Sequence, residues 1–132
     1  MFQNHLLTKS YYSSVVIAPY TAVKLDPANN EYVLPATSAT DLVIGVTNEL
    51  GFTATDVSRG SNVDVVLVGI AQVAAGSAIA TPGTRVTINA SGQVIAAAPA
   101  AGANVQLLGV TLLPASSGDV IPVLLHLSVM QG

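Results

Sequence analysis

The chain has no cysteine and no tryptophan, and Asp, Glu, Lys and Arg together make up only 8% of its 132 residues. Without thiols there is no disulfide framework, no thiolate zinc site and no cysteine nucleophile. Aromatic residues are 5% of the chain, too few for a sugar-stacking platform. The cations are Lys9, Lys24, Arg59 and Arg85, and they are scattered. Binding to DNA or RNA relies on clustered cations that release counterions, so nucleic acid is not an expected partner. The same scarcity argues against an anionic membrane surface. No apolar run approaches the roughly 20 residues of a membrane span. Val15-Val16-Ile17-Ala18 is too short for the apolar region of a signal peptide, and Pro19 ends it. The expected product stays in the cytoplasm where it is made, unless an assembly carries it out.

What is present is apolar and small. Hydrophobic residues are 51% of the chain, against a net charge of −3. Soluble domains carry roughly 25% charged residues. A surface of Ser, Thr, Asn, Gln, Ala and Gly is cheap to desolvate, because few ions must be stripped of water. It suits extensive contact with protein neighbours; the plainer alternative is a monomer with a neutral surface. The length suffices for one domain with a genuine core.

One pattern occurs twice. Ile44-Gly45-Val46-Thr47 leads through a loop to Asn62-Val63-Asp64-Val65-Val66-Leu67. Leu108-Gly109-Val110-Thr111 leads through a shorter loop to Asp119-Val120-Ile121-Pro122-Val123-Leu124. Each unit reads as strand, turn, strand. Turn signals recur roughly every 8–12 residues, the pattern of a sandwich or barrel. Strands are expected over 14–18, 21–25, 31–34, 42–47, 63–68, 70–74, 84–89, 93–97, 105–112 and 120–129. Pro82-Gly83 suits a type II turn, and Asn89-Ala90-Ser91-Gly92 a hairpin with a left-handed glycine. Alternation places Val63, Val65 and Leu67 on one face. It points Val86 and Ile88 inward, with Arg85, Thr87 and Asn89 outward. Val63, Val65, Leu67, Val86, Ile88, Leu108, Val110 and Val123 are the expected core. The nearly continuous apolar runs 107–113 and 123–127 are buried on both faces or against another subunit. Gly45 and Gly109 hold equivalent strand positions, where a missing side chain permits a bulge or a close backbone approach.

Helix signals are few. Ala96 to Ala103 is interrupted by Pro99 and Gly102 and reads as a loop. The polar insertion 48–61 has room for one short helical turn around Thr55-Asp56-Val57. Residues 1–13 read as an N-terminal arm ahead of a single β domain, 14–132. The arm has no regular period, yet Phe2, Leu6, Leu7, Tyr11 and Tyr12 make it too apolar for a free tail. These five are the candidate contacts with a partner, or else the arm covers the domain's own open end.

No constellation of catalytic residues emerges. His5 and His126 have no ligand spacing around them, and a metal site needs three or four convergent ligands. The carboxylates are Asp26, Glu31, Asp41, Glu49, Asp56, Asp64 and Asp119. Of these, only Asp64 and Asp119 fall at matching places in the repeat; a paired acid–base role is weaker than a strand and a turn position. No serine lies in a Gly-x-Ser-x-Gly elbow, and no phosphate-binding glycine loop is present. No catalytic, cofactor or metal residue is therefore expected, and the chain is not read as an enzyme.

Taken in order, several of these motifs resemble the small head decoration (cement) proteins of tailed bacteriophages. They are Asp41 to Thr47, Gly60 to Gly69, Pro82-Gly83-Thr84-Arg85-Val86-Thr87, Ser91-Gly92-Gln93-Val94, Leu108 to Thr111, and Ser117 to Leu125. The resemblance spans roughly residues 15–130. It implies an all-β, compact barrel- or sandwich-like domain that trimerises and caps junctions between capsid subunits. The implied partners are the major capsid protein and further copies of the chain, on the outer capsid surface of the virion. It brings no catalytic residue. The arm 1–13 and the insertion 48–61 depart from the family's usual layout. The alternative is a β-sandwich binding module, an adhesin or fibre-tip domain recognising a cell-surface ligand.

Overall fold

The computed structural model describes residues 4–132. Nine strands and one short helix follow in order: β1 Asn4–Tyr11, β2 Ala22–Leu25, β3 Val33–Pro35, β4 Val43–Thr47, α1 Ala54–Arg59, β5 Val63–Ala74, β6 Arg85–Ile88, β7 Val94–Ala96, β8 Asn104–Thr111 and β9 Val120–Gln131. All named strand pairings are antiparallel. The fold is the expected all-β one, a sheet curled into a half-barrel.

The strand order is β3-β2-β4-β5-β9-β8-β6-β7, with β1 paired to β5. That order is palindromic. The sequence repeat therefore folds into two matching four-stranded halves, β2 to β5 and β6 to β9, which meet where β5 pairs with β9. The match extends to single atoms. In the first half, Thr47 Oγ1 accepts from the Thr21 backbone N–H at 3.0 Å, and Thr47 N–H donates to Thr21 O at 2.9 Å. In the second, Thr111 Oγ1 accepts from Thr84 N–H at 3.2 Å, and Thr111 N–H donates to Thr84 O at 2.9 Å. Both threonines are buried. The paired glycines also match. A Cβ on Gly45 would run into the Val66 carbonyl oxygen, and one on Gly109 into the Leu124 carbonyl oxygen. Each unit needs glycine where its first strand crosses closely over its second.

The core lies in two clusters on either side of β5. Val66, Ala71 and Val73 join Val43, Val46, Val86, Ile88, Leu108, Ile121 and Val123 in the larger one. Val63 and Val65 join Ile17, Val23, Val33 and Phe52 in the smaller. The run Val63 to Val66 is therefore covered on both faces, which explains why it is not cleanly alternating. Six of the eight expected core residues are buried; Leu67 and Val110 are only half-buried.

Several local expectations change. Residues 14–18 do not form a strand; Ile17 makes an isolated bridge to Phe52, with hydrogen bonds of 2.9 and 2.7 Å in the two directions. Residues 63–74 are one long strand rather than two, because Gly69, at φ 110°, carries the chain through an irregular register without ending it. Thr87 is buried rather than outward, since its hydroxyl donates to Gln106 O at 2.8 Å. The insertion 48–61 supplies a core residue, Phe52, and then α1. That helix starts on a capping box between Thr53 and Asp56 and stops at Gly60, φ 65°. Gly83 and Gly92 take the positive φ expected of them, 83° and 71°.

Candidate interaction surface

The arm enters the sheet. Val66 pairs with Val46 of β4 and with Thr8 of β1, so the two strands flank β5 on opposite edges. β1 runs from Asn4 opposite Ile70 to Tyr11 opposite Val63, with register shifts around Leu7. The sequence of residues 4–11 predicts no strand, because the segment has no alternation. The reason is visible in its surroundings: every residue from His5 to Ser10 is exposed, on both faces of the strand. With no buried face, nothing selects a period of two.

The arm is held by backbone pairing and a few polar contacts. Ser10 Oγ donates to Asp64 Oδ1 at 2.8 Å. Lys9 pairs with Glu31 and lies 4.1 Å from the centre of the Tyr11 ring. That pairing raises the Lys9 pKa above its ordinary value, chiefly through the hydrogen bond to Glu31. Tyr11 packs on the smaller core cluster, and Tyr12 bridges to Tyr32 with ring centres 5.6 Å apart. Leu6 and Leu7 face solvent at 75% and 51% exposure. Phe2, the fifth candidate contact, lies outside the described residues.

Further apolar side chains share this surface. Residues directly opposite in an antiparallel ladder project to the same face. Leu7 stands opposite Val68. Ile70 stands opposite Leu124, Leu124 opposite Val110, and Val110 opposite Arg85. This row crosses β5, β9, β8 and β6, and Val68 and Leu124 are exposed. Farther along β9, beyond its pairing with β5, Leu127 and Val129 are exposed as well. The continuous apolar run 123–127 was legible as a strand with something left to bury. Val68 was not, because it sits within the apolar run Val65 to Val68 that continues a core strand.

The polar residues weighed as chemistry have local roles. Asp64 accepts from Ser10. Asp119 accepts from Ser116 N–H at 2.8 Å, as a turn residue does. Asp41 accepts from Thr37 N–H at 2.9 Å, Ser38 N–H at 3.2 Å and Lys24 Nζ at 3.1 Å. The Thr37 bond, with help from Lys24, holds its carboxyl below the usual carboxylate range. Among the described residues no three His, Asp or Glu side chains converge as metal ligands would. No helix there is long and apolar enough to cross a membrane.

The class the fold defines is a curled all-β sheet built from a duplicated unit, with little charge and with large apolar side chains left in solvent. Residues 16–127 match the phage cement protein family model, and the chain belongs to that family. It is thus a structural protein of the phage head. Among solved structures it is similar to the N base of the head fiber gp8.5 of bacteriophage phi29, with a TM-score of 0.60 and 14% identity. That likeness covers 91% of this chain and 93% of the other, and at this identity it speaks for the fold. The comparison with curated proteins finds no match.

Proposed function

We propose that this protein decorates the outer surface of a phage head and stabilises it by bridging neighbouring major capsid protein subunits, as a homotrimer. The observation that carries the reading is the membership of the cement family together with the exposed apolar surface on β1, β5 and β9. Leu6, Leu7, Val68, Leu124, Leu127 and Val129 are each at least 42% exposed. Fully burying one such side chain contributes about 1.5–3 kcal/mol. Burying what remains exposed of six such side chains supplies part of that for each, and contacts repeated over the copies of an oligomer add to it against the cost of association. The arm residues Leu6, Leu7, Tyr11 and Tyr12 contact either the capsid or a sister subunit. Synthesis in the host cytoplasm is part of the same reading.

Sedimentation with purified heads that lack the protein tests this. The expected result is saturable co-sedimentation, weakened by Leu124→Ser with Leu127→Ser in a protein that still folds. Failure to bind the head, with saturable binding of the isolated protein to host cells instead, would favour the cell-surface binding module.

A further inference from the structure

The four cations of the chain differ in one respect. Lys9 pairs with Glu31, and Lys24 with Asp41. Arg59 lies in the field of Asp56 within α1. Among the described residues Arg85 has no carboxylate partner. It instead lines a hollow of about 390 Å³ with Leu107, Gly109, Val110, His126, Ser128 and Val129.

The hollow follows from the local sheet geometry. The β8–β9 register shifts between Leu107 and Gly109, so Leu107 faces Ser128 while Gly109 faces Leu125. One β8 residue, Leu108, thus faces two on β9, which places His126 in the bulge together with Leu127. Gly109 contributes no side chain, and Arg85 reaches the site from β6 beside Val110. The lining combines apolar walls with one permanent cation, an imidazole and a hydroxyl. It adjoins the apolar row through Val110.

We propose that this hollow takes a glutamate side chain presented by a partner protein, with the carboxylate on Arg85, supported by His126 and Ser128, and the methylenes on Leu107, Val110 and Val129. Charge complementarity selects the ligand, since a guanidinium offers a fork of donors matched to a carboxylate. Six of the chain's seven acidic side chains, all but Glu49, are engaged elsewhere. Asp26 accepts from Ala28 and Asn29, Glu31 from Lys9, and Asp41 from Thr37. Asp56 accepts from Thr53, Asp64 from Ser10 and Asp119 from Ser116. The proposal names a specificity contact beyond the apolar surface and stands apart from the capsid reading.

The test is an NMR titration of the isolated protein with N-acetyl-glutamate methylamide, against the glutamine analogue at equal ionic strength. The expected result is a saturable shift of the Arg85, Val110, His126, Ser128 and Val129 signals with the acid. It should be at least tenfold weaker with the amide and lost in Arg85→Gln. Arg85→Lys, which keeps the charge but not the fork, should bind the acid at least threefold more weakly. No saturable shift, equal response to both probes, or undiminished binding in Arg85→Gln overturns the proposal. Should Arg85→Gln not fold, the lysine variant decides, and unchanged affinity there overturns it. No capsid enters the experiment, so its failure is distinct from failure of the decoration reading.

Discussion

Thr47 and Thr111 show how much depends on single atoms in this fold. Each hydroxyl accepts from a backbone N–H on the neighbouring segment while the residue's own N–H donates back. Replacing either by valine keeps the shape and removes the acceptor, leaving a buried N–H without its partner. The expected cost is about 1–3 kcal/mol in each case. Equilibrium urea unfolding should show a loss at both sites and the larger one at Thr47, whose hydroxyl also donates to Ala18 O at 2.9 Å; no loss at either site would refute the assignment. Asp41 acts through charge. Its carboxyl titrates below the unfolded value because Thr37, Lys24 and Ser38 favour the ionised form. Its stabilisation is therefore fully present above about pH 4 and fades as pH falls through the lowered folded value. Melting temperatures of Asp41→Asn and the parent should differ at pH 7 and converge toward pH 2. A gap that stays constant across that range would refute the assignment.

At the scale of elements, the duplicated strand pair was legible because it combines a local signal with a steric one. Ile44-Gly45-Val46-Thr47 and Leu108-Gly109-Val110-Thr111 alternate or run apolar, and each glycine is required by a carbonyl pressed against it. The arm was legible in composition but not in structure. Leu6 and Leu7 signalled a contact still to be made, yet β1 has no buried face to impose a period. Phe52 was hidden by its polar surroundings, since only tertiary pairing with Ile17 draws it inward. The surface row through Leu124, Val110 and Arg85 could not be read from sequence, because it depends on register between strands far apart in the chain. Deletion of residues 2–10 tests the arm's role. The side chains from His5 to Ser10 join neither core cluster, so the truncated protein should melt close to the parent while binding heads weakly. It would also bare one edge of β5, which invites association through open strand pairing. A drop of more than about 10 °C, roughly 2–3 kcal/mol for a domain of this size, would make the arm part of the stability core instead.

For the whole molecule, low charge, a two-sided β5 and apolar side chains left in solvent describe one half of an interface. Large apolar patches on a small protein are uncommon unless something covers them. Light scattering at micromolar concentration should report a homotrimer. A monomer both in solution and on the head would contradict that part of the reading. A protein that decorates heads must bind them once they are assembled. Purified heads lacking the protein, mixed with increasing amounts of it and pelleted, measure this directly. Saturable binding at a fixed number of copies per head, with heads that then resist heat better than bare ones, is the predicted result. Heads that pellet without the protein at any concentration would contradict the account.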